Sequence, residues 1–107
     1  SRASRTNMLK GCFTILENKI SSAGNKYIYL RVLNPNGKVL SQNKKEVISL
    51  ENSEEIEISA KREINYQNEN TDVCIYYEVE DAINPGNYKV EIYADNNKIG
   101  ITSFALK

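Results

Sequence analysis

Four glutamates crowd one short stretch of the chain, Glu51, Glu54, Glu55 and Glu57, and carboxylates gathered in this way are what a hard divalent cation needs. The spacing argues against a cation. An EF-hand-type loop requires Asp-x-Asp-x-Asp-Gly, and no glycine lies among these glutamates to fold a loop around calcium. Glu55 and Glu57 instead share one face of an alternating run, and a solvated strand face explains them without a ligand. A second acidic set, Glu78, Glu80 and Asp81, has the residue types for glycoside cleavage, which takes two carboxyl groups at a fixed separation. Nothing in the sequence places such a pair, and a wet hairpin end is the plainer explanation.

The chain contains no histidine. That removes the usual general base, the commonest zinc ligand and every triad that runs through imidazole. No Gly-x-x-x-x-Gly-Lys-Ser/Thr loop is present to cradle a nucleotide phosphate. An enzyme here would have to work on carboxylates alone, so the chain is read as non-catalytic, with no cofactor and no metal expected. Two cysteines, Cys12 and Cys74, allow a single disulfide. In the run Asp72 to Val79, alternation puts Val73, Ile75, Tyr77 and Val79 on one face and Cys74, Tyr76 and Glu78 on the other. Burying the second set would take Glu78 with it, so Cys74 is expected to point away from the core. Reduced thiols are the expectation for a domain large enough to stand without a staple, with a Cys12–Cys74 bond as the alternative. Reduced thiols in turn favour a cytoplasmic location, or an extracellular or periplasmic one should a signal peptide lie upstream.

Seven of the nine aromatic residues are tyrosines. By the same parity Tyr27, Tyr29, Tyr76 and Tyr93 point outward, and strands that share a sheet would assemble them into an aromatic patch tipped with hydroxyls. Such a patch suits a protein partner or the face of a sugar ring. Tyrosine is also a favoured strand residue, and cross-strand pairs stabilise a sheet without binding anything.

The elements that must carry these side chains are short and alternating. No helical periodicity lasts three turns, so the chain is all-β. Candidate strands run over Gly11 to Glu17, ended by Asn18-Lys19, and over Lys26 to Asn34, with Ile28, Leu30 and Val32 inward. Asn34-Pro35-Asn36-Gly37 turns the chain into Lys38 to Gln42. Further runs cover Lys44 to Leu50 and Glu54 to Ala60, and Lys61 to Tyr66 either continues the latter or starts a bend. Gln67 to Thr71 is a polar loop. After the Cys74 strand, Pro85-Gly86 suits a type II turn. Tyr88 to Ala94 and Ile99 to Leu106 then form a closing hairpin about Asp95 to Lys98. Seven to nine strands at this spacing favour an antiparallel two-sheet sandwich.

A chain of 107 residues, 40% hydrophobic and 26% charged, is one domain. Residues 1–8 read as a linker or expression remnant and residues 9–107 as the fold, which ends promptly after its last apolar pair, as a natural C-terminus would. Fourteen basic residues balance fourteen acidic ones, which leaves no electrostatic footprint for nucleic acid. No apolar run approaches the roughly 20 residues that span a bilayer as a helix.

Pro85-Gly86-Asn87-Tyr88-Lys89-Val90-Glu91-Ile92-Tyr93, with Lys98-Ile99-Gly100 and the terminal Phe104-Ala105-Leu106-Lys107, resembles the last hairpin of bacterial immunoglobulin-like modules. Cys12-Phe13-Thr14, Tyr29-Leu30-Arg31-Val32 with its Asn34 to Gly37 turn, and Val73-Cys74-Ile75-Tyr76 extend the resemblance to a narrower group. These are C-terminal β-sandwich domains of bacterial coiled-coil proteins labelled as chromosome-partitioning or chromosome-segregation proteins. The resemblance runs from Leu9 to Lys107. It implies an immunoglobulin-like sandwich at the end of a longer protein, working by protein contact or self-association, and supplies no catalytic or ligand residues. The competing expectation is an extracellular carbohydrate-binding or adhesin-type module that uses the tyrosines.

Overall fold

The computed structural model of the protein describes residues 8–17, 20, 22–41, 45–79 and 84–107. All the regular elements among these residues are strands: β1 (Met8–Ile15), β2 (Gly24–Leu33), β3 (Glu46–Ser49), β4 (Glu55–Ile58), β5 (Ala60–Tyr66), β6 (Thr71–Glu78), β7 (Gly86–Ala94) and β8 (Asn97–Leu106). The leader Ser1 to Asn7, the Asn18-Lys19 strand end, and Glu80 and Asp81 lie outside the described residues, while Met8 opens β1.

Every pairing between strands is antiparallel. The strands form three hydrogen-bonded sheets, β1-β6, β5-β2-β7-β8 and β3-β4, where the sequence pattern suggested two. The physical reason lies at Ser59. The run from Glu55 to Tyr66 pairs with β2 only from Ala60 onward and crosses to β3 before it. At the break, Ser59 N still donates to Leu30 O (2.7 Å), and the buried Ser59 hydroxyl accepts from Val32 N (2.9 Å) and donates to Leu40 O (2.5 Å). One short side chain thus satisfies backbone groups that the departing strand leaves behind.

Alternation decides which side chains are buried. Ile28, Leu30 and Val32 of β2, Val73, Ile75 and Tyr77 of β6, and Tyr88, Val90, Ile92 and Ala94 of β7 are all buried. One apolar cluster draws on both larger sheets: Ile15, Val73 and Ile75 from β1-β6, and Ile28, Leu30, Val32, Tyr66, Val90 and Ile92 from the four-stranded sheet. Gly11 marks how near the two approach, because a Cβ there would stand 3.5 Å from both δ-carbons of Leu30.

Turn chemistry sets the register. Asp95 and Asn96 both adopt positive φ, 50° and 66°, between the paired Ala94 and Asn97. That is a two-residue hairpin loop whose twist matches the flanking strands, made from the residue types that best tolerate the left-handed region after glycine. The Asn34 turn forms as its sequence requires, with Gly37 at φ 81° and Asn34 Oδ1 accepting from Asn36 N and Lys38 N at 2.9 Å each. Of the strand expected over Lys38 to Gln42, the described residues form the bridge Leu33↔Val39, and Gln42 lies outside them, as does Lys44 at the start of the next expected run.

The two larger sheets meet along two seams that differ. At the β5/β6 seam, Arg62 Nη1 donates to Cys74 O at 2.7 Å. At the β1/β8 seam there is instead a cavity of about 300 Å³, lined by Cys12 to Leu16 on one wall and Ile99 to Thr102 on the other, with Ile92 between them.

Candidate interaction surface

Because successive strand residues face opposite ways, Tyr27, Tyr29 and Arg31 share the face of β2 that turns away from Ile28, Leu30 and Val32. Tyr27 is 46% exposed, and its ring lies 6.1 Å from that of Tyr29, inclined at 20°. Lys61, opposite Tyr29 on β5, holds its ammonium 5.2 Å from the centre of the Tyr27 ring and 2.8 Å from Glu46. The Lys61 pKa is raised by its hydrogen bond to Glu46 and by that carboxylate's charge, so the cation over the ring is held charged. Burial pushes the Tyr29 phenol up, with the Glu46 and Tyr27 charges acting in the same direction against Lys61, so it stays a neutral hydroxyl. The result is a pair of stacked rings framed by a surface ion pair.

Tyr93, expected beside them, is not part of this patch. It lies directly opposite Tyr29 but is only 3% exposed. Glu91, on the same face, is buried as well. The β3–β4 hairpin reaches this face: Arg31 Nε donates to Glu57 O (3.1 Å) and Glu51 N to Asn96 O (3.0 Å). Parity along β7 gives the face correctly, but long-range packing takes that face out of solvent.

The burial is made tolerable by a closed set of hydrogen bonds. Glu91 Oε1 accepts from Arg31 Nη1 (2.9 Å) and from the Tyr93 hydroxyl (2.8 Å), and Oε2 accepts from Lys98 Nζ (3.2 Å). Desolvation alone would push the Glu91 carboxyl up, but the three donors and the Lys98 charge outweigh it and the net direction is down. Desolvation and the adjacent carboxylate push the Tyr93 phenol up to about 12. Arg31 and Glu91 face one another across β2 and β7, a signal that becomes visible only once the strand pairing is known.

Tyr76 lies elsewhere. It projects from β6 in the two-stranded sheet, exposed, with Lys10 Nζ 5.6 Å from its ring centre. The same outer face carries two further cross-strand pairs, Thr14 Oγ1 donating to Asp72 Oδ1 (2.6 Å) and the Cys12–Cys74 disulfide. Cys74 thus points away from the core as expected, but the thiols are not reduced. The register sets Cys12 directly opposite Cys74, with Cα atoms 4.1 Å apart, and this proximity could not be read from either strand alone. The four tyrosines therefore divide into an adjacent pair, exposed Tyr27 and half-buried Tyr29, a separate exposed Tyr76 and a buried Tyr93.

The acidic residues give no cation geometry. Among the described residues no group of three or more His, Cys, Asp or Glu side chains is placed to hold a metal ion. Glu55 is exposed and Glu57 half-buried, and one Glu57 oxygen, Oε2, is buried without a hydrogen-bond partner among the described residues. No described helix is long and apolar enough to cross a membrane.

No curated protein and no solved structure matches the chain. A family model described as "Domain of unknown function (DUF8428)" matches residues 1–107, over the strands and turns described above, and the chain belongs to that family.

Proposed function

We propose that this chain is a non-catalytic protein-interaction or spacer module of immunoglobulin-like, two-layered build, attached to a longer bacterial protein of the coiled-coil kind that its sequence resembles. The observation that carries the reading is the stacked Tyr27–Tyr29 pair on the outer face of the four-stranded sheet, framed by Lys61 and Glu46. Two amphipathic rings already packed against each other lose little conformational freedom on binding, which is what a contact anchor requires. The shared core of β1-β6 with β5-β2-β7-β8, and the close approach of Gly11 to Leu30, support the two-layered build. The Cys12–Cys74 bond favours an oxidising compartment in place of the cytoplasm.

The test is photo-crosslinking in the native cell with a benzophenone amino acid at position 27 and, for comparison, at position 76. The reading expects a discrete protein adduct from position 27 that is lost in Tyr29→Ala. Absence of any adduct from position 27, together with a strictly monomeric solution state, overturns it.

A second reading, an extracytoplasmic carbohydrate-binding or adhesin-type module, draws on the same ring pair as a platform for a sugar face and on the disulfide. Glycan-array binding that disappears in Tyr27→Ala would put this reading first.

A further inference from the structure

The β1/β8 seam presents an apolar groove beside an unusually bare strand edge. β8 is the terminal strand of its sheet, and β1 belongs to a sheet of only two strands. Among the described residues neither has a strand partner on the side facing the groove. Ile99 to Leu106, Ile-Gly-Ile-Thr-Ser-Phe-Ala-Leu, contains no charge and no proline over eight consecutive residues. Edge strands are ordinarily blunted by a charged side chain, a proline or a covering element, because their free N–H and C=O groups otherwise template another strand. The apolar side chains at this seam are also left uncovered: Ile101 is 55% and Leu16 52% exposed, and Phe13 and Ile99 are only half-buried.

Charge discriminates among occupants. Lys98 and Lys107 flank the uncharged run, and Lys89 is exposed opposite Ser103. At this end of the strand three cations, Lys98, Arg31 and Lys26, share two carboxylates, those of Glu91 and Asp95, which leaves a positive excess. A second copy pairing its own run antiparallel would set Lys98 of each chain against Lys107 of the other, and a parallel arrangement would set like lysines side by side. Like charges directly opposite on paired strands are destabilising. We propose that the β8 edge and its groove take up an extended peptide segment of another protein, with alternating apolar side chains and a carboxylate at each end, added as a fifth strand to β5-β2-β7-β8. The main chain of β8 supplies the hydrogen bonds, the groove takes every second side chain, and the lysines at either end select for acid. This surface is separate from the Tyr27–Tyr29 face, so failure here leaves the protein-interaction reading of that face standing.

The test uses the oxidised 107-residue chain with its C-terminal carboxylate amidated, so that Lys107 keeps its net charge, and two labelled peptides, Asp-Val-Thr-Val-Thr-Val-Thr-Val-Asp and its lysine-ended counterpart. Fluorescence anisotropy is expected to show the acid-ended peptide binding about tenfold tighter at low salt, with the gap closing as salt is raised. Amide exchange along β8 should slow on binding. Thr102→Glu, exposed on the groove wall opposite Val90, should weaken the acid-ended peptide by about tenfold while leaving the thermal midpoint in place, since exposed positions tolerate substitution. Should that variant fail to fold, Ser103→Glu, exposed on the same strand opposite Lys89, reads the same effect. Equal binding of the two peptides, or no binding of either by a chain that remains folded, overturns the proposal. So does sedimentation showing a dimer that Thr102→Glu dissolves, which would make the occupant a second copy.

Discussion

The β5/β6 seam is tied and the β1/β8 seam is not. At the first, a guanidinium on one sheet reaches a main-chain carbonyl on the other, and Tyr66 at the end of β5 is fully buried. At the second, a cavity separates two strand edges, and isoleucine and leucine side chains stand in solvent. The same chain therefore uses charge-assisted hydrogen bonding to close one side and leaves the other to shape alone. The closed side satisfies a main-chain carbonyl across the sheets, and the open side leaves a strand edge without a strand partner among the described residues.

The sharpest way to break this contrast is to cut the covalent tie on β1, the strand that faces the open seam and is paired only with β6. The Cys12–Cys74 bond closes a loop with a sequence separation of 62 residues, and the chain-entropy argument gives such a closure about 4 kcal/mol. Guanidinium unfolding of Cys12→Ser/Cys74→Ser against the oxidised chain measures it. Loss of well under about 1 kcal/mol would mean that the bond adds no more to β1 than the Arg62 contact adds to the closed seam.

Next in size is Glu91, which lies in the four-stranded sheet opposite Ile101, on the outer side of the strand that borders the open seam. Glu91→Leu leaves Arg31 facing a buried apolar side chain and is expected to destabilise by about 3 kcal/mol. The folded Glu91 pKa is depressed. Its contribution is therefore present above the ordinary carboxylate pKa and is lost as pH falls through the lower folded value. An acid titration of stability in the wild type and in Glu91→Leu should diverge above that range and converge below it. Tyr93 behaves in the opposite sense: with its phenol pushed up to about 12, the stability it supplies is complete below about pH 10 and drains away as pH rises toward the folded value.

Arg62→Ala removes the tie at the closed seam, an exposed donor to Cys74 O, and should cost about 1 kcal/mol. Amide exchange should then quicken along β5 and β6 and stay unchanged along β8. The smallest effect belongs to the open seam. Ile101→Ala should shift stability by no more than about 0.5 kcal/mol in either direction, and a larger loss would show that the Ile101 side chain is packed.

The inward faces of β2, β6 and β7 were legible because each alternates without interruption through Ile28 to Val32, Val73 to Tyr77 and Tyr88 to Ala94. The turns at Asn34 to Gly37 and Asp95-Asn96 were legible because their residue types tolerate the required backbone. The fate of the outer faces was not. Parity assigns Tyr93 and Glu91 to the side away from the core, but a hairpin some 40 residues upstream in the chain decides whether that side is wet. The disulfide was hidden for a related reason, since it follows from pairing β1 with β6, and alternation says nothing about which strands become neighbours. The break at Ser59 was legible only as an undecided bend after Ala60, because Glu55 to Tyr66 has a strand-like composition on both sides of it.

The position of the Cys12–Cys74 bond would matter if the chain were set in series within a longer protein, as proposed above. A pull applied from the N-terminal side passes from β1 into β6 through sulfur, bypassing every residue between the two cysteines. While the bond stands, the hidden length from β2 through β5 cannot be paid out, and only the ends can lengthen. Thiol chemistry would thereby set how far the stretched chain can extend.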